Sequence, residues 1–326
     1  GSDDRRRRPM SAAPTVLITD CDMGAAALER SVLEPAGYRV EHAACRTEDE
    51  VIAAARQTGA TGLLVQYAPI TNRVLSALPD VRALVRYGVG MDNVDVDAAA
   101  EMGVVALNAP DYGRAEVADH AMALVLGLLR GVPAWSAATA RGEWPARGEL
   151  PEPLELAACT LGLLGFGGIA RLVALRAAAF GMRVIAHDPF VSEAEIRAAG
   201  ARPRQAGDLW RQSTVVSLHL PLSAATRGVV DATALGLIRP GTYLVNTARA
   251  GLVDRTALED ALRDGRLAGV GLDVWWDEPA RPDDPLTRHP AVLLTPHVAW
   301  LSPGSVRRLR TSVATRLLAA LTKGRS

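Results

Sequence analysis

Lysine is nearly missing from this sequence: Lys323 is the only one, and arginine supplies the rest of the positive charge. Net charge is missing too, because 36 basic residues stand against 36 acidic ones. A chain without a global field has no general attraction for nucleic acid or an anionic membrane, so neither is expected as a partner. Cysteine is scarce. Cys21, Cys45 and Cys159 are odd in number and lack metal-ligand spacing, so no metal is expected and a reducing, cytoplasmic compartment fits best. No apolar run approaches the ~18 residues of a membrane span. The Arg5–Arg8 run has no apolar segment behind it, which argues against a signal peptide; residues 1–13 read as a flexible tail.

What the sequence does have is alternation. Its 326 residues are enough for two domains. From Thr15 to Ala109 the short apolar runs TVLITD, YRVEHAAC, LLVQYA, VRALVRYG and VVALNA alternate with helical patterns, which predicts five parallel strands in a doubly wound sheet. This part has no glycine fingerprint for phosphate. Arg114–Arg130 predicts a long helix. The stretch Gly131–Pro153 is proline-rich, without clear period, and carries Trp135 and Trp144. Leaving both tryptophans in water would be costly, so this stretch reads as an arm on a second subunit rather than a surface excursion, and a homodimer is expected. Strands are then expected near Leu161–Gly165, Arg183–His187, Val215–Leu220, Tyr243–Asn246, Gly269–Val274 and Val292–Leu294. One last helix is expected near Ser305–Thr322, and no appended domain is expected after it.

The second half is organised around TLGLLGFGGIAR, residues Thr160–Arg171. An apolar strand enters the turn Gly165, Phe166, Gly167, Gly168, Ile169, and helix-forming residues follow from Arg171 to Phe180. That is the strand–turn–helix context of a dinucleotide fingerprint. Gly165 permits the sharp turn, Gly167 lets backbone N–H groups approach a pyrophosphate, and Ala170 is small enough for helix-on-strand contact. Asp188 ends the next strand, about twenty residues on, where an acid meets the adenosine ribose and disfavours the 2′-phosphate of NADP. NAD is therefore the expected cofactor.

Three later segments occupy strand ends, where ligands of such sheets collect. They are Val245–Gly251 (VNTARAG), Leu272–Pro279 (LDVWWDEP) and Thr295–His297 (TPH). With the fingerprint, they make the chain resemble the D-isomer-specific 2-hydroxyacid dehydrogenases from Thr15 onward. The loop RYGVGMDN (Arg86–Asn93) and HVAW (His297–Trp300) are similar to the branch that includes the C-terminal-binding-protein corepressors. The resemblance departs at Ala250, where the family has glycine, and at Trp275, where phenylalanine is common. It implies Arg249, Glu278 and His297 as the catalytic trio. Arginine offers a permanent charge and a planar fork for a carboxylate and the adjacent 2-oxo oxygen. Histidine can give and take the proton, and a carboxylate beside it orients the ring and favours its charged form.

Further site residues implied by the resemblance are Asp273 toward the nicotinamide carboxamide, and His219, Pro221, Thr247 and Ala248 along the cofactor. Tyr67, Arg86, Val89, Gly90 and Trp300 are expected at the substrate, together with Arg249 and His297. His120 is expected in a packing role. The expected fold is α/β: two doubly wound parallel-sheet lobes facing one another across a cleft. A flavodoxin-like substrate lobe takes residues 14–110 and 299–326, and a Rossmann NAD lobe takes residues 111–298. The expected activity is interconversion of a 2-oxo acid and a D-2-hydroxy acid by hydride transfer, with an NAD(H)-sensing scaffold as the competing class.

Overall fold

The computed structural model describes residues 13–323; Arg5–Arg8 and the rest of the expected tail up to residue 12 lie outside the described residues. The chain divides into two compact units. One is formed by the chain up to Tyr112 with the return from Ser302, the other by Gly113–Leu301.

In the first unit, five short apolar runs become β1 (Thr15–Ile18), β2 (Arg39–His42), β3 (Ala60–Val65), β4 (Ala83–Arg86) and β5 (Val105–Leu107). All pairings are parallel, in the order β2-β1-β3-β4-β5. This is the flavodoxin-like order, and it reverses between β1 and β3. Apart from Thr15 and Thr61 the β1 and β3 runs carry no polar side chains, because helices cover both faces of the sheet. One cover is the C-terminal helix Pro303–Lys323, which buries Leu309, Val313, Ala314, Leu317 and Leu321. Gly62 in β3 permits this approach: a Cβ there would stand 2.9 Å from the Leu321 side chain. The helix starts two residues before the expected Ser305. Proline is at home in a first turn, and Ser302 and Ser305 exchange backbone-to-hydroxyl bonds of 2.8 and 2.9 Å around it.

The second unit carries β6 (Thr160–Leu164), β7 (Arg183–His187), β8 (Arg202–Pro203), β9 (Val215–Leu218), β10 (Thr242–Asn246), β11 (Leu267–Leu272) and β12 (Val292–Leu294). All are parallel, in the order β12-β11-β10-β9-β6-β7-β8. Counted from β6 this is the Rossmann order 3-2-1-4-5-6 with one more strand at the far edge. Strand β8 was not expected. Two residues ending in proline at a sheet edge leave no periodicity to read. Ala118, Val125, Phe166 and Val173 fill the core on one face, and Leu209, Leu235, Leu258 and Trp275 on the other.

Two helices differ from expectation. The helix after the glycine turn spans Gly168–Ala179, so it begins three residues earlier than its alanine-rich run indicates. Within Gly131–Pro153, expected to be irregular, Val132–Ala140 is helical. Gly131, left-handed at φ 64°, breaks the preceding helix Arg114–Leu129, and Pro133 seeds the next in its first turn. Among the described residues no single helix is long and apolar enough to cross a membrane. The pair Arg114–Leu129 and Val132–Ala140, bent by 66°, meets that composition only when joined. The first helix of the pair buries its apolar residues in the core of the unit.

Candidate active site

Strands β10, β11 and β12 are parallel neighbours, so the loops that leave their carboxyl ends emerge side by side. These loops carry Arg249, Glu278 and His297. At the end of β10 the fully buried Asn246 shapes the first loop. Its amide accepts from the Ala248 N–H at 2.9 Å and donates to the Arg249 carbonyl at 2.9 Å. Ala250, the family departure, opens a short 3₁₀ turn, Ala250–Leu252, and is itself buried.

His297 Nδ1 and Glu278 Oε2 are 2.7 Å apart, and the other carboxylate oxygen accepts from the Trp275 N–H at 3.0 Å. Burial works to raise the Glu278 pKa. The bond from His297, the Trp275 amide and the charges of His297 and Arg249 outweigh it and hold the carboxyl below its ordinary range. The loop behind the carboxylate is fixed by Arg255. Its guanidinium lies 5.7 Å from the Trp275 ring and 5.4 Å from the Trp276 ring while bonding Asp284 at 2.6 Å and Glu259 at 2.8 Å. With Nδ1 engaged, Nε2 is the ring atom left to exchange a proton.

Asp273 lies 1% exposed at the end of β11. It accepts from the Thr295 hydroxyl at 2.6 Å and from the Val298 and Ala299 N–H groups at 2.9 and 2.8 Å. His120, expected only to pack, bonds Thr295 Oγ1 through Nε2 at 2.9 Å. Trp300, expected at the substrate, donates its indole N–H to the His297 carbonyl at 3.1 Å.

The nucleotide turn is built as its glycines require. Gly165 has φ 87°, and a Cβ there would stand 2.6 Å from the His219 carbonyl oxygen, so no other residue fits. Gly167 caps the helix Gly168–Ala179, and a Cβ there would meet nothing within 4 Å. That leaves open space at a helix N-terminus, suited to a phosphate. Ile169 is partly buried against the core and Ala170 fully buried in it. Asp188 accepts from the Phe166 and Phe190 N–H groups, each at 2.8 Å, which ties the end of β7 to the turn. Thr247 Oγ1 is buried with no hydrogen-bond partner among the described residues, a polar atom waiting for a ligand group. His219 bonds Ser217 Oγ at 2.9 Å, and burial pushes its pKa down to about 4, so the ring is neutral. The Pro221 carbonyl accepts from the Thr226 hydroxyl at 2.6 Å. These residues fit a dinucleotide.

In the first unit the loops after β3 and β4 are pinned by short polar side chains. Asp20 accepts from the N–H groups of Gln66, Tyr67 and Ala68 at 3.1, 2.6 and 3.2 Å. Arg86 Nε donates to the Gln66 carbonyl at 3.2 Å, and Asn108 donates to the Val89 carbonyl at 2.6 Å. Gly88 takes φ 136°, and Tyr67 and Val89 stand exposed. Gly90 follows Val89 in the same loop.

The geometry has counterparts. The family model of the D-isomer specific 2-hydroxyacid dehydrogenase, NAD binding domain, matches residues 122–299. The (S)-sulfolactate dehydrogenase of Chromohalobacter salexigens is 39% identical over 253 residues, 77% of this chain and 81% of that one. This chain belongs to the D-isomer-specific 2-hydroxyacid dehydrogenases. The D-3-phosphoglycerate dehydrogenase of Mycobacterium bovis is also 39% identical, over 84% of this chain, but the chain spans only 51% of that relative's length. A glyoxylate reductase from Paecilomyes thermophila superposes with a TM-score of 0.85 at 31% identity, covering 96% of both chains. Family membership makes NAD the cofactor of the second unit.

Asn246, Thr295 and His120 were not expected to support the site. The first two stand inside the motifs, but a side chain that holds a loop looks no different in sequence from one that faces a ligand. His120 is separated from Thr295 by most of the second unit.

Proposed function

We propose that the protein reduces a 2-oxo acid to a D-2-hydroxy acid with NADH, and runs the reverse reaction. One observation carries this reading: the His297–Glu278 dyad at 2.7 Å, on strand ends next to the loop of Arg249. Arg249 binds the substrate carboxylate and polarises the 2-oxo oxygen, stabilising the charge that grows there. His297 holds its transferable proton at Nε2 and delivers it to that oxygen, while Glu278 keeps the ring oriented. Bound NADH supplies the hydride. Thr247, Gly167 and Asp188 are proposed to hold the cofactor, and Asp273 has one acceptor position left on Oδ2 for a carboxamide. In the first unit the Arg86–Gly90 loop and Tyr67 are proposed to bind substrate, their backbone already fixed by Asp20 and Asn108. The relatives named above are dehydrogenases and a reductase, which favours an enzyme over a scaffold. Loss of NADH absorbance with a panel of 2-oxo acids tests the reading; no turnover with any of them refutes it. Three free cysteines accord with a cytoplasmic site of action.

Asp188 sets an expected preference. Its carboxylate repels a 2′-phosphate, so catalytic efficiency with NADH should exceed that with NADPH, and Asp188→Ala should narrow the gap. Equal efficiencies in the unaltered enzyme would count against the assignment.

The protein is also proposed to be a homodimer through residues 131–153. Trp144 is 89% exposed and Val132 58% exposed on this stretch, and Trp135 Nε1 is buried without a partner. Sedimentation at micromolar concentration should give a dimer, and Trp144→Arg should weaken it; a monomer throughout removes the proposal.

A further inference from the structure

We infer that Thr295 and His120 are positioning residues for His297, acting through Asp273; the inference builds on the reductase reading. His297 is the only non-glycine residue with positive φ among the described residues, at 55°. The left-handed region strains a side-chain-bearing residue, so the surroundings must hold it there.

The holding groups are all present. Ahead of the turn, the His297 N–H donates to the Thr295 carbonyl at 3.0 Å across Pro296. Behind it, the next two N–H groups, of Val298 and Ala299, are both taken by the Asp273 carboxylate at 2.9 and 2.8 Å. Above it, Trp300 bonds the His297 carbonyl. Asp273 is thus the clamp that sets the backbone on the carboxyl side of His297.

The clamp is itself oriented by a directed chain. A carboxylate only accepts, so the Thr295 hydroxyl hydrogen points to Asp273 Oδ1 over the 2.6 Å contact. The same hydroxyl oxygen must then be the acceptor toward His120, whose Nε2 carries a hydrogen and stands 2.9 Å away. That Nε2 also lies 3.5 Å from Asp273 Oδ1. The order is His120 to Thr295 to Asp273, and from there through two amides to His297. Asp273 and Glu278 leave the same strand, β11, and divide the work: the first holds the backbone of the turn and the second its ring. Glu278 contacts the ring and feels the charge of Arg249, whereas His120 stands beside Asp273 behind the turn.

Thr295→Val keeps the shape and removes the hydroxyl; Thr295→Ser keeps the hydroxyl. In the NADH-saturated enzyme, Thr295→Val should lower kcat on the order of 10- to 100-fold, the scale of a misplaced catalytic group. The falling limb of its pH profile should move to lower pH, because a ring that drifts from Glu278 is less favoured as imidazolium. Thr295→Ser should restore both kcat and the limb. Unchanged kcat and limb in Thr295→Val, or equal losses in both variants, would overturn the inference. The ring-carbon NMR titration of His297 gives a readout that needs no turnover: its midpoint should fall in Thr295→Val and not in Thr295→Ser, with Glu278→Gln marking the full displacement. Equal midpoints overturn the positioning role even if no substrate is turned over, an outcome that separately refutes the reductase reading.

Discussion

His297→Ala should lose on the order of 10²–10⁴ in turnover, the usual contribution of a general acid. The dyad explains why the loss falls on chemistry. Nδ1 is bound to Glu278 at 2.7 Å, so Nε2 is the proposed donor toward substrate, and alanine would leave nothing to protonate the growing alkoxide. NADH affinity should barely change. The pH dependence has a definite sign. Reduction needs imidazolium, so activity falls as pH rises. The bond and charge of His297 help hold Glu278 below the ordinary carboxylate range, and a neutral amide in its place would leave no anion beside the ring. Glu278→Gln therefore shifts the falling limb to lower pH. On the acid side, the lowered carboxyl keeps the dyad intact further down in pH than an ordinary glutamate would. Rate against pH, with a deuteride isotope effect confirming that chemistry limits, checks both points. Near-normal turnover in His297→Ala would end the mechanism, and an unmoved limb in Glu278→Gln would end the dyad.

The second large effect belongs to the first unit and concerns stability. Glu29 is fully buried, and Arg310 from the C-terminal helix reaches it through Nε and Nη2 at 2.8 and 2.6 Å. Arg310 also donates to the carbonyls of Met23, at 3.0 Å, and Ala25. The Tyr87 hydroxyl donates to the same glutamate at 2.9 Å, and burial raises the Tyr87 pKa well above its usual value, so it stays a donor. Glu29→Ala leaves the arginine charge buried without its counter-ion, which costs about 3–5 kcal/mol. Replacing both partners by methionine removes the charge problem and should restore part of that loss, the rest going to the Tyr87 hydroxyl and the Met23 and Ala25 carbonyls that then lose their partners. Hydrogen exchange of the β1–β5 amides reads the unit separately from the rest of the chain. Protection in Glu29→Ala equal to that of the unaltered protein would show the pair contributes nothing. A double variant as unstable as the single one would show that shape, not charge, is at stake. Tyr87 opens the loop proposed for substrate, so the pair also joins the terminal helix to that loop.

The glycine turn, the acid at Asp188 and the three strand-end motifs are local in sequence, and so were legible there. A tight turn needs glycine, a strand buried on both faces needs an apolar run, and each functional residue sits a fixed few positions past its strand. The parallel order of the sheets follows from alternation of the same kind. Short or capped pieces were not legible. Strand β8 has two residues, and the helix Val132–Ala140 hides behind Pro133, which marks its start rather than its absence. Neither was the support of the site. Glu29 finds Arg310 from 281 positions away, and His120 finds Thr295 from 175. No period or spacing records such a meeting, because it is produced when the sheet order brings distant ends together. The sequence by itself determined which residues are proposed for the chemistry. The tertiary structure alone decided which side chains hold them there, since a hydrogen bond is set by distance in space and a motif only by distance along the chain.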